Sequence, residues 1–169
     1  WQNKFDSYDL TVAQILLTQD DLSSANRHSA VINTIENILS TNAIPVVNEN
    51  DTVSCDEIKF GDNDTLSALV AKAIGADLLL ILSNVPGLMD PNNGNAVIPI
   101  VKEINSDIKA LASGTQNEMS VGGMVSKLCA AQIATENKCG MFIGSGDDPE
   151  LFQKILKGDT IGTYFLPHS

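Results

Sequence analysis

The sequence predicts an α/β domain built as a three-layer αβα sandwich around a mainly parallel sheet. Three observations predict it. Segments with strand character alternate with segments of helical apolar spacing along almost all of the 169 residues, the pattern of a sheet enclosed by helices. Leu78-Leu79-Leu80-Ile81-Leu82 is an unbroken aliphatic run, as expected of a parallel strand covered on both faces. Between the periodic segments lie stretches rich in Asn, Asp and Gly, where turns and ligand loops belong in such a sheet.

Taken in order, Leu10 to Leu17 is aliphatic and β-branched and reads as the first strand, ending at Thr18-Gln19-Asp20-Asp21. From about Ser24 to Ser40, Val31, Ile32, Ile35, Ile38 and Leu39 recur at helical spacing and describe a helix with one buried face. Asn42 and Pro45 end it, and Ile44 to Val47 is the second strand. After a polar loop, Asp62 or Asn63 caps a helix that runs to about Ile74 and stops at Gly75. The aliphatic strand follows, closed by the turn at Pro86-Gly87. Asp90-Pro91-Asn92-Asn93-Gly94 is turn chemistry, and Ala96 to Val101, with Pro99 inside it, suits an edge strand or an excursion. Ile104 to Ala112 has helical spacing, and Ser113 to Val121 is a polar, glycine-bearing loop. Gly122-Gly123 opens a helix that carries Met124, Leu128 and Ala131 on one face and runs to about Asn137. Met141 to Ile143 is a strand, Gly144-Ser145-Gly146 a turn, Pro149 sits near the first position of a helix, and Thr160 to Leu166 is a last strand bent at Gly162.

Composition narrows the function classes. One domain is the default at this length. No apolar run approaches the roughly 18 residues of a membrane span. A net charge of -11, with ten scattered Lys and Arg against twenty-one Asp and Glu, repels a phosphate backbone, so nucleic-acid binding is not expected. Cys55, Cys129 and Cys139 lack zinc-ligand spacing and His28 and His168 are far apart, so no metal site is expected and the cysteines read as reduced, in a cytosolic compartment. There is no Gly-x-Ser-x-Gly elbow and no histidine near a cysteine or serine in a nucleophile pattern.

Two constellations carry chemistry. Between Asn48 and Asp64, six carboxylates and three amides stand within seventeen residues, between a strand and a helix start. The carboxylates of Asp51, Asp62 and Asp64 accept from an ammonium or Mg2+, and Asn48, Asn50 and Asn63 both donate and accept, which suits a zwitterionic or phosphorylated small molecule. The same letters also describe a solvated acidic loop with a helix cap. Farther on, Gly122-Gly123-Met124-Val125-Ser126-Lys127 puts glycines at a helix N-terminus with a lysine one turn in. Free backbone amides and the positive end of the helix dipole attract an anion there, and Lys127 adds a full charge. The spacing is not that of the Gly-x-x-x-x-Gly-Lys-Ser/Thr loop, and glycines followed by a surface lysine are also an ordinary helix start.

Together these segments resemble the glutamate 5-kinases of the amino-acid kinase superfamily. The similarity lies in Val12 to Thr18, in Ile44-Pro45-Val46-Val47-Asn48-Glu49-Asn50-Asp51-Thr52-Val53 and in Glu57 to Leu69. It continues through Ala76-Asp77, Gly122-Gly123-Met124 with Lys127, and Gly162-Thr163, so that it spans essentially the whole chain. The resemblance implies the amino-acid kinase fold and ATP- and Mg2+-dependent phosphorylation of the γ-carboxylate of L-glutamate, the first step of proline synthesis. It implies that Asp51 and Asn63, with Asn48 beside them, hold glutamate. Ser83-Asn84 and the segment Val121, Gly122, Gly123, Met124, Val125, Ser126 and Lys127 would bind the nucleotide; Lys127 would stabilise the transferring phosphoryl and Asp64 would orient the lysines. Members of the family commonly form dimers or tetramers, so a homo-oligomer is expected.

The chain departs from the family pattern in four places. Ser83-Asn84 stands where Thr-Asp is usual, and Val121 where threonine is usual. No part of Trp1 to Asp9 resembles the family's first strand, with its phosphate-contacting lysine and glycine, or its serine-glycine-alanine segment. The RNA-modification-type domain that many members append has no counterpart after Phe165-Leu166-Pro167. The expectation is therefore a partial kinase domain over residues 1–169 whose native protein supplies the upstream strand, or whose exposed sheet edges another chain covers. The alternatives are a non-catalytic glutamate- and nucleotide-binding module, or an amino-acid kinase acting on another substrate.

Overall fold

The computed structural model describes residues 1–51, 63–113, 123–159 and 161–168, apart from the side chains of residues 19 and 113. A short helix α1 (Gln2–Phe5) and a 3-10 turn lead into β1 (Val12–Leu17). Helix α2 (Gln19–Ser23) follows at once, then α3 (Ala25–Ser40) and β2 (Ile44–Glu49). β1 and β2 pair in parallel, from Val12 opposite Ile44 to Leu17 opposite Glu49. The stretch Thr18 to Asp21, at which the first strand was expected to end, is thus the start of a helix. The Asp21 carboxylate accepts from both the backbone N–H and the hydroxyl of Thr18, each at 2.7 Å, a reciprocal cap that stabilises so short a helix.

The second half begins with α4 (Asn63–Ala73), which ends at Gly75 with φ +62°, a left-handed conformation that glycine adopts without strain. It continues through β3 (Leu78–Ser83), β4 (Met89–Asp90), β5 (Ala96–Val97), β6 (Ile100–Val101), α5 (Ser106–Ser113), α6 (Met124–Glu136), β7 (Gly140–Ser145), α7 (Leu151–Lys157) and β8 (Thr163–Phe165). Four of these strands form one sheet in the order β3-β7-β8-β6. β3–β7 and β6–β8 are parallel, and β7–β8 is antiparallel. β4 and β5 make a separate antiparallel hairpin around the Asp90–Gly94 turn.

Helix α4 ties the two sheets together, touching β2 on one side and β3 on the other. Its Leu66 joins Leu17, Val31 and Ile35 in one apolar cluster, while its Ala68 and Ala71 join Ile81, Leu128, Ala130, Ala131, Ala134, Met141, Ile143 and Phe165 in the larger core. Alanines on both partners let α4 and α6 lie close along their length, and that close contact sets the geometry of the site. Fully burying a side chain such as Phe165 contributes about 1.5–3 kcal/mol.

Several expectations change in detail. β3 is not covered on both faces: among the described residues it is the end strand of its sheet, and Leu78 and Leu82 are 41% and 63% exposed. It is β7, with Gly140 to Gly144 all buried between a parallel and an antiparallel neighbour, that behaves as the enclosed strand. Pro99, which lacks an N–H, splits the run from Ala96 to Val101 into β5 and β6 and uses its carbonyl to accept from the Tyr164 N–H at 2.9 Å. Gly144 and Ser145 belong to β7 rather than to the turn after it. Pro149 precedes the N-cap Glu150 of α7 instead of sitting inside the helix. Ser113 ends α5, and the rest of the expected loop to Val121 lies outside the described residues, as does Asp62.

Candidate functional site

The first turns of α4 and α6 are side by side. In α4, Asp64 is the second residue, where a carboxylate meets the positive end of the helix dipole. In α6 the N-cap is Gly123 in an extended conformation, which has no side chain to satisfy the first amides. Lys127 sits one turn in, and its ammonium faces the wrong end of the α6 dipole in a buried position, two effects that disfavour a charge. Asp64 answers both. Lys127 Nζ donates to Asp64 Oδ2 at 2.9 Å, with the two side chains 9% and 15% exposed. Ser126 adds a third member: its Oγ lies 3.1 Å from the same Asp64 oxygen and 2.9 Å from the carbonyl of Gly123.

The other candidates fall at the ends of strands or helices and in the loops that follow them. Asn48, opposite Leu16 in the parallel register, and Ser83, opposite Ser145, stand at the carboxyl ends of β2 and β3, the side of an α/β sheet on which ligands sit. Asn63 is exposed and immediately precedes Asp64, and Asp51 is exposed at the edge of the described residues. The Asn50 N–H donates to the Leu17 carbonyl at 2.8 Å and so ties this loop to the end of β1. The Ser83 hydroxyl donates to Asn84 Oδ1 at 3.3 Å, and the Ser83 carbonyl accepts from Gly146 N–H at 2.7 Å.

The segment expected to bind nucleotide divides. Ser126 and Lys127 turn toward Asp64, and Met124 packs against the larger core. Val125, 56% exposed, lines an apolar hollow of about 210 Å³ between α5 and α6 with Ala112, Leu128 and Cys129. Val121 and Gly122 lie outside the described residues. The contact of Ser126 with Asp64 has no signal in the sequence, because a hydroxyl at the third helical position usually serves only its own helix.

Cys139 is buried, and burial, reinforced by the charge of Asp77 and opposed by the Leu79 N–H, pushes its thiol up, so it is an inert core group. Among the described residues no three His, Cys, Asp or Glu side chains gather as a metal cluster, and no helix is long and apolar enough to cross a membrane.

Comparison with known proteins places these features in context. Residues 1–145 match the model of the amino acid kinase family. The chain is 47% identical over 171 residues to a glutamate 5-kinase of Clostridium acetobutylicum, covering 99% of this chain and 64% of that protein. It is 46% identical over 165 residues to a glutamate 5-kinase of Deinococcus radiodurans, covering 95% of this chain and 46% of that protein. It therefore spans roughly half to two thirds of the length of these relatives. Among solved structures, a Giardia carbamate kinase superposes with a TM-score of 0.64 at 16% identity, covering 99% of this chain and 67% of that one. The UMP kinase of Ureaplasma parvum superposes with a TM-score of 0.60 at 15% identity, covering 97% and 63%. At such identities the likeness is one of fold.

Proposed function

The chain belongs to the amino acid kinase family, and from that premise we propose that it forms the greater part of the catalytic domain of a glutamate 5-kinase. In this reading an oxygen of the L-glutamate γ-carboxylate attacks the γ-phosphorus of ATP. The bond from that phosphorus to the β,γ-bridging oxygen breaks, and γ-glutamyl phosphate and ADP leave. The attacking carboxylate is already ionised at neutral pH and needs no base, so the protein's task is positioning and neutralisation of phosphoryl charge.

The observation that carries the reading is the Lys127–Asp64 ion pair at two adjoining helix N-termini. A buried ammonium held by a carboxylate at a helix N-terminus is suited to a triphosphate tail. Lys127 would meet the transferring phosphoryl and Asp64 would keep the ammonium aimed. Gly123 lets the backbone approach the phosphates, and Ser83-Asn84 at the end of β3 would take another part of the nucleotide. Mg2+, brought in on ATP, would neutralise phosphate charge. Asp51 would pair with the substrate's α-ammonium, with Asn48 and Asn63 beside it; this selects an amino acid over a simple dicarboxylate. The strong similarity to glutamate 5-kinases supports glutamate as the acceptor. The same reading makes the reaction the first step of proline synthesis, carried out in the cytoplasm by a homo-oligomer.

The test is glutamate-dependent ADP release by the complete native polypeptide, with the acyl phosphate trapped by hydroxylamine as the hydroxamate. Asp51→Ala is expected to raise the KM for glutamate by at least about tenfold, the loss of one charge-assisted hydrogen bond, and to leave the KM for MgATP near its starting value. Turnover of carbamate, aspartate or a nucleoside monophosphate in place of glutamate would overturn the reading.

A further inference from the structure

We propose that Ser126 is a positioning residue of this site: its hydroxyl proton swings between the Gly123 carbonyl and Asp64 Oδ2, and holds the Asp64 carboxylate while Lys127 engages the phosphoryl group. The inference rests on the phosphotransfer reading above and goes beyond it.

The hydroxyl has one proton and two acceptors in reach, Gly123 O at 2.9 Å and Asp64 Oδ2 at 3.1 Å. The first is an ordinary helix back-bond of the kind Thr34 makes to the Ala30 carbonyl in α3 at 2.8 Å. The second crosses from one helix to another and ends on an ionised oxygen, where a hydrogen bond is about twice as strong as between neutral groups. That oxygen also receives Lys127 Nζ at 2.9 Å.

Phosphoryl transfer asks Lys127 to turn toward new negative charge. As the ammonium does so, Asp64 loses part of its compensation in a position only 15% exposed to water, and an under-compensated buried carboxylate is costly. Rotation about the Ser126 Cβ–Oγ bond replaces the lost donor with no movement of a heavy atom. The carboxylate then stays in place, and the lysine keeps its aim through the transfer and its anchor afterwards. Ser126 forms and breaks no covalent bond.

The experiment compares S126T with S126V in the complete native polypeptide, two variants of nearly the same shape that differ in the hydroxyl. S126T is expected to remain within about twofold of the unsubstituted protein, the range of a neutral change. S126V is expected to lower kcat about tenfold, as when a hydrogen bond to a charged group is lost, with KM for MgATP and glutamate little altered. Equal kcat for the two variants would overturn the positioning role, as would a raised KM for MgATP with kcat unchanged, which would make Ser126 a nucleotide contact instead. Where the branched pair does not fold, S126A takes the place of S126V against the unsubstituted protein. A urea double-mutant cycle of S126V with D64N reads the contact without turnover: coupling of about fivefold in the folding equilibrium is expected, and none would overturn the proposal. Absence of glutamate-dependent turnover in the unsubstituted protein defeats the kinase reading itself, an outcome distinct from normal turnover that ignores Ser126.

Discussion

Asp64 and Lys127 meet at 2.9 Å between Oδ2 and Nζ although 63 positions separate them in the chain, one in the first turn of α4 and the other in the first turn of α6. The pair joins α4 to α6, so in the proposed kinase it links stability to chemistry. Asp64→Ala takes a carboxylate away from a buried ammonium and is expected to cost about 3 kcal/mol in urea unfolding. Replacing both partners by apolar residues, D64L with K127M, is expected to recover most of that stability while abolishing turnover. Lys127→Met alone is expected to lower kcat by about two to three orders of magnitude, the loss of one preorganised donor to the developing charge. A D64A protein that unfolds like the unsubstituted one would show that the pair is not a buried one.

A second tether fixes the loop after β3. The backbone N–H of Leu88 donates to Thr163 Oγ1 at 2.8 Å, and Thr163 is fully buried. Thr163→Val keeps the shape and removes the acceptor, so a buried N–H is left unsatisfied at a cost of about 1–3 kcal/mol. Thr163→Ser is expected to hold the urea midpoint better than Val does, and equal midpoints would mean that the bond contributes nothing. The neighbouring Gly162 has φ +64° and no room for a Cβ, which would lie 2.4 Å from the Ile143 carbonyl oxygen. Gly162→Ala is therefore expected to lower the midpoint further than either threonine variant.

The cap at the start of α2 gives a pH dependence with a definite sign. Bonds from the Thr18 hydroxyl, then from the Thr18 N–H, hold the Asp21 carboxyl below the usual carboxylate range. Partial burial opposes them, and Arg27 adds a small favourable effect. A carboxyl whose folded-state pKa is depressed contributes stability that is fully present above its unfolded value of about 3.9 and is lost as pH falls through the folded value. Asp21→Asn is thus expected to cost about 1 kcal/mol at neutral pH, the scale of an N-terminal cap, and the gap to the unsubstituted protein is expected to close below about pH 4. A gap that persists unchanged to pH 2 would rule the carboxylate out as its source.

Much of the architecture was legible in the letters. The helix Ala25–Ser40 follows from the spacing of Val31 and Ile35, both buried as the periodicity requires, and the end of α4 follows from Gly75. The short helix α2 was not legible, because its cap uses Asp21 where the usual signature has Glu or Gln, and its five residues are too few to show a period. The coverage of β3 was misjudged for another reason. Five aliphatics in a row report that a strand is apolar, but how much of it is covered depends on where it falls in the sheet, and here its sheet partner is β7, which lies far along the chain.

What the sequence by itself determined is the α/β class, the places where α4 and α6 begin, and the presence of a carboxylate and a lysine in their first turns. These follow from short-range preferences: caps, glycine conformations and the period of the apolar residues. What only the tertiary structure decided is that Asp64, Ser126 and Lys127 share one oxygen, that Lys127 is buried, and that β7 rather than β3 is the enclosed strand. Those outcomes depend on which helix packs on which and in what strand order. Burial of apolar surface over the whole chain selects that arrangement, and no local window of residues carries it.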